Sequence, residues 1–208
     1  MSATDTARRL VFRMVGTWWR IDLSSPEAIS DSTKEIAAGV LGRADDRSTA
    51  RARLRDALGR AASAAADADA QLLMIQTDIG PGQPMSATLT VFEDERMRMS
   101  PAIGTDAASV LAVFDKSVPL VDPARADTLV RRRSMDGEVA RVHAIEETVE
   151  VEDGERYTQR RLVAQYWYPL PGTKRLLTVV LTTPLGDIPH TLLSYFDAIV
   201  AASAFQEA

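Results

Sequence analysis

Residues 145–162 read Ile145-Glu146-Glu147-Thr148-Val149-Glu150-Val151-Glu152-Asp153-Gly154-Glu155-Arg156-Tyr157-Thr158-Gln159-Arg160-Arg161-Leu162. An Asp-Gly step between two β-prone runs is a strong local signal for a hairpin with a two-residue turn. Pairing Glu152 with Glu155 sets Glu147 opposite Arg160, Glu146 opposite Arg161 and Ile145 opposite Leu162. Two cross-strand pairs of opposite charge follow from one register, at the small cost of like charges beside the turn. An antiparallel hairpin is therefore expected here, and the rest of the chain is read outward from it.

Upstream, from Thr128, Asp136-Gly137 reads as a second two-residue turn, which would put Arg132 opposite Arg141. Downstream, Pro169-Leu170-Pro171-Gly172 turns the chain again. Leu176 to Leu181 is then apolar on both faces, as in a central strand covered from both sides. Pro184 ends that strand, Asp187 and Pro189 open a last helix, and Leu192, Leu193, Phe196, Ile199 and Val200 form its core stripe.

Toward the N-terminus, Val11 to Leu23 is β-prone and aromatic and reads as a strand. Ser24 and Glu27 form an S-x-x-E capping box with Pro26 in the first turn. Ile29, Thr33, Ile36 and Val40 recur at helical spacing until Gly42. Asp45 and Asp46 are placed to cap a second helix, with Ala50, Leu54, Ala57, Leu58, Ala61 and Ala65 as its stripe and Arg47, Arg51, Arg53 and Arg55 around the remainder. Leu72–Asp78 and Met85–Phe92 flank Gly80-Pro81-Gly82-Gln83-Pro84 as a hairpin with a longer loop, and a short helix spans about Asp106 to Lys116. The expected fold is α+β, an antiparallel sheet with helices packed on it in one domain spanning 1–208. An N-terminal strand and helix pair occupies 11–66, and a strand meander with its closing helix occupies 128–203.

The run Tyr166-Trp167-Tyr168-Pro169-Leu170-Pro171-Gly172, the strand from Leu176 to Thr183 and the helix carrying Tyr195-Phe196-Asp197-Ala198-Ile199 resemble the ending of Mog1/PsbP-like α+β proteins. The resemblance covers roughly the last third of the chain and rests on core positions. It implies an α-β-α sandwich and a binding or assembly role more often than catalysis, and it carries no functional residues over.

Composition narrows the function classes. The chain has 208 residues, 46% hydrophobic and 25% charged, enough to bury a core. It has no cysteine, which removes disulfides, zinc-thiolate sites and thiol nucleophiles, and a net charge of −5, which argues against general nucleic-acid affinity. Lys34, Lys116 and Lys174 are its only lysines, and this arginine and alanine bias is that of a high-GC, actinobacterial genome. The start shows no signal-peptide pattern and no run is long enough to span a membrane, so a cytoplasmic location is expected.

The two histidines are the candidate ligands or bases. His190 has no carboxylate or second histidine at metal-ligand spacing and reads as a helix-end residue. His143 shares a strand face with Arg141, beside Arg132 and Tyr166. The four form either an anion-binding spot, with the arginines as donors and Tyr166 as a stacking platform, or a sheet face whose arginines are neutralised by nearby acids. Arg131-Arg132-Arg133 is split between two faces and is too short for a polybasic patch. Glu146 and Glu147 point apart and each already faces an arginine, which leaves no acid–base pair. Trp18 and Trp19, adjacent in a strand, point to opposite faces, so one is core and the other partly exposed, an interface candidate or simple packing.

No G-x-S-x-G, P-loop or dinucleotide fingerprint is present, and no metal or cofactor is implied. The leading expectation is a non-enzymatic accessory, adaptor or immunity-type module that docks another protein. The alternative is a small anionic-ligand-binding or enzymatic domain at Arg132, Arg141, His143 and Tyr166. A homo-oligomer joined through the helix pair is a third possibility.

Overall fold

The computed structural model describes residues 8–93, 104–152 and 155–207, without the side chains of residues 150–152 and 155. Its frame is a seven-stranded, wholly antiparallel sheet. In spatial order the strands are β2 (Thr17–Ile21), β3 (Ala70–Gly80), β4 (Gln83–Phe92), β8 (Leu176–Thr183), β7 (Glu155–Pro169), β6 (Gly137–Glu152) and β5 (Val130–Ser134). The apolar run of β8 does occupy the middle of the sheet, with Val179 and Leu181 fully buried.

Helices cover both faces. On one, α5 (Pro189–Ala201) lays Leu192, Phe196, Ile199 and Val200 on Leu89, Ala164, Tyr166, Val179 and Leu181. The small ribbon of β1 (Arg8–Val11) with β9 (Ala204–Glu207) joins this core through Leu10, and Phe205 meets Tyr168 edge-on. On the other face two separate cores form. One lies under α1 (Pro26–Leu41) and α2 (Ser48–Asp67) over β2 and β3, the other under α3 (Ala107–Val121) over β6 and β7, where Phe114 packs against Trp167. Between these cores Thr178 and Val180 of β8 are only half-buried, so the central strand is fully covered on one side and not on both as its apolarity suggests.

Several local expectations are corrected. The N-terminal strand is split: β1 and β2 belong to different sheets, joined through Gly16 at φ 82°, where a Cβ would lie 2.1 Å from the Asp78 carbonyl oxygen. Helix α1 is capped by Ser25, whose hydroxyl accepts the Ala28 N–H, while the Ser24 N–H is already taken by Asp22. Val40 is exposed, and Ala37 takes its place in the buried stripe. Asp45 and Asp46 lie in a 3-10 turn and make no side-chain cap to α2, whose buried stripe is Leu58, Ala62 and Ala65. Two of the arginines read as surface decoration close the end of α1 instead: Arg47 donates to the Leu41 carbonyl, Arg51 to those of Gly42 and Ala44.

The β3–β4 hairpin is tighter than expected, since Gly80 pairs with Gln83 and leaves only Pro81-Gly82 as the turn. Helix α3 runs past Lys116 to Val121 because Pro119 falls in its last turn, where the missing N–H costs a single bond. A further short turn of helix, α4 (Pro123–Ala126), leads into β5. No helix among the described residues is long and apolar enough to cross a membrane.

Candidate functional site

The β6–β7 register agrees with the sequence reading pair by pair: Glu147 faces Arg160, Glu146 faces Arg161, Ile145 faces Leu162 and Arg141 faces Tyr166. The β5–β6 register does not. Ser134 pairs with Gly137, so the turn is Met135-Asp136 and Arg132 stands opposite Val139, with Val130 opposite Arg141. Long-range bonds fix this choice over the Asp-Gly signal: the Met135 N–H donates to the Ser203 carbonyl, and the Asp136 carboxylate accepts the Phe205 N–H. The shift is by two residues, so Arg132 and Arg141 still share a face.

That face is covered by α5, and the cluster closes on Asp197. One oxygen of its carboxylate, Oδ2, accepts from Arg132 Nε at 2.6 Å and from an Arg141 guanidinium nitrogen at 2.7 Å. The other, Oδ1, accepts the Tyr166 hydroxyl at 2.8 Å. Arg141 is 5% exposed and Tyr166 wholly buried. Burial, then the neighbouring Asp197 charge, pushes the Tyr166 phenol far above its ordinary range, so it stays protonated and serves as a donor. The anion these arginines gather is thus a carboxylate of the chain itself.

His143 lies one position further along the same face. Its backbone N–H and C=O both bond to the Thr128 hydroxyl at 2.9 Å, which extends the β5 edge by one side chain. Its imidazole is held below the ordinary value of 6.5 by burial first, then by the charges of Arg141 and His190, with Asp197 acting in the opposite sense. The fold thus brings within electrostatic reach two histidines that the sequence reading treated as unrelated. Among the described residues no group of three or more His, Asp or Glu side chains is gathered as a metal ion requires.

Trp18 and Trp19 do point to opposite faces, and both are half-buried. Trp18 Nε1 donates at 3.0 Å to the Val15 carbonyl, which also accepts from Gln76 and Tyr195. Trp19 Nε1 donates to the Thr77 hydroxyl at 3.1 Å, and its ring packs against Gly39 of α1. Each indole N–H is used within the fold.

A different feature projects from the sheet. The β5 ladder ends at the Val130–Arg141 pair and the β8 ladder at Thr183–Leu162, while β6 and β7 go on pairing with each other to Glu152 and Glu155. The resulting two-stranded arm is braced at its base by ion pairs of Glu146 with Arg161 and Arg125, of Glu147 with Arg160, and of Arg160 with Asp187 at 2.7 Å. Past these it exposes Val149 (63%) and Tyr157 (41%). These exposed apolar side chains are the part of this site that sequence reading missed, although the unequal strand lengths on either side of 145–162 carried the signal.

No protein-family model matches the chain, and no curated protein matches it in sequence.

Proposed function

We propose that this chain is a non-enzymatic docking module, of accessory, adaptor or immunity type, that engages a partner protein through the β6–β7 arm. The observation that carries this reading is the arm: a ribbon braced at its base by ion pairs that exposes Val149 and Tyr157. Two-stranded ribbons are marginal in water on their own, so a long one that keeps apolar side chains outside the core is best explained by a surface that covers them. The suggested kinship with Mog1/PsbP-like proteins, which implies binding or assembly, points the same way, as does the arrangement around Asp197. There the donors that an external anion would use at Arg132, Arg141 and Tyr166 are turned to an internal carboxylate. The proposed setting is the cytoplasm of a high-GC bacterium.

The test is purification of the tagged protein at native level and low salt, in parallel with a Val149→Ser/Tyr157→Ser variant. A stoichiometric protein that co-elutes with the wild type and is lost with the variant is expected. Recovery of the protein alone in both cases, or an undiminished partner in the variant, would refute the reading.

A further inference from the structure

We infer that the outer edge of β6 in the arm is a strand-addition site for an extended, basic segment of the partner, an inference that rests on the docking reading above. The backbone geometry leads to it. The N–H and C=O of His143 point toward β5, since both are held by the Thr128 hydroxyl. In a strand these groups alternate sides with a period of two, so the N–H and C=O of Ile145, Glu147 and Val149 point the same way. Among the described residues no strand lies there, because β5 ends opposite Arg141. An unpaired row of donors and acceptors is a template for another strand, and natural edges are normally blunted by proline, a bulge or lysine. This edge has none of the three. From Ile145 to Val149 the ladder runs without a register shift, and the charges are glutamates.

The charges select the occupant. From Glu146 to Asp153 the sequence holds five carboxylates and no base, of which Glu146 and Glu147 meet arginines. A second copy of β6 laid against this edge would set glutamates against glutamates, which is destabilising for directly opposed side chains. A segment with lysine or arginine opposite the glutamates and apolar residues opposite Ile145 and Val149 satisfies both the backbone and the side chains, the mode known as β-augmentation.

The same geometry supplies a discriminating variant. Because the Val149 N–H faces outward, Val149→Pro removes a donor needed by an added strand while sparing the β6–β7 ladder. The probe is the peptide acetyl-Val-Lys-Val-Thr-Lys-Lys-Val-amide, titrated into the full chain at low salt. Saturable binding is expected, weakened at least tenfold by Val149→Pro and several-fold by raising the salt concentration. Hydrogen exchange of the full chain gives an independent reading. The Val149 amide is expected to slow on peptide binding, and the Thr148 amide, already paired to β7, to stay unchanged. Absence of saturable binding, equal binding by Val149→Pro with its arm amides intact, or concentration-dependent dimerisation through β6 would overturn the inference. A co-purifying partner lost with Val149→Ser/Tyr157→Ser but kept with Val149→Pro would overturn the edge alone. A partner kept with both would overturn the docking reading as well.

Discussion

Strand β6 is one continuous run from Gly137 to Glu152, and its two halves obey different rules. The half up to His143 lies between β5 and β7 under α5, and there a charge is internal: Arg141 is buried and joined with Arg132 and Tyr166 on one carboxylate. Among the described residues the half beyond Ile145 pairs only with β7, and there even apolar side chains are outside. Polar residues turned inward with their partners cement a fold. Apolar residues turned outward, away from the core, are available for something else. The residue types that suggest a ligand site in the first half meet a carboxylate of the chain itself, and the plain-looking second half is where a function has room.

The contrast can be broken most forcefully at Asp197. Its replacement by alanine leaves a buried guanidinium without a counter-charge, a situation that costs about 3–5 kcal/mol. For a chain of this size that corresponds to a fall in Tm of roughly 6–20 °C, read by calorimetry. A loss within error would mean that the hub is solvated and that the two halves do not differ as described. Tyr166→Phe removes one donor from the carboxylate and leaves its shape, for an expected loss of about 1–3 kcal/mol by urea titration.

Acid sharpens the same comparison. The His143 imidazole is depressed in the folded protein, so the unfolded chain takes up a proton first as pH falls. The contribution is neutral above the ordinary value of 6.5 and becomes a destabilisation as pH drops below it toward the folded value. His143→Gln is expected to flatten that part of the stability–pH curve, and an unchanged slope would contradict the assignment. The smallest effect belongs to the arm: Val149→Ser and Tyr157→Ser are each expected to change stability by no more than about 0.5 kcal/mol, as exposed positions do. A large loss in either would show that the arm serves the core after all.

How much of this was legible in the sequence depends on the range over which each signal acts. The β6–β7 register could be read because its determinants, Glu146, Glu147, Arg160 and Arg161, face one another across a single turn. The β5–β6 register was misread by two residues because Ser203 and Phe205, nearly seventy positions away, hold Met135 and Asp136 in the turn. The stripe of α5 was plain from its period, yet Asp197 was not, since nothing local links a helix residue to arginines on two strands. Its position beside Phe196, as the one acidic residue of a mostly apolar helix above an arginine-bearing sheet face, was the available hint. The cap at Ser25 was missed by one residue because Asp22 engages Ser24 in the turn before α1.

The central claim, that the arm and not the face under α5 meets a partner, is tested most directly by placing a photo-crosslinking amino acid at Tyr157 or at His190 in the native cell. Both positions are exposed, one on the arm and the other at the start of α5. A discrete protein adduct from position 157 and none from position 190 is the predicted result. An adduct from position 190 alone would contradict the account and return attention to the surroundings of His143 and Asp197.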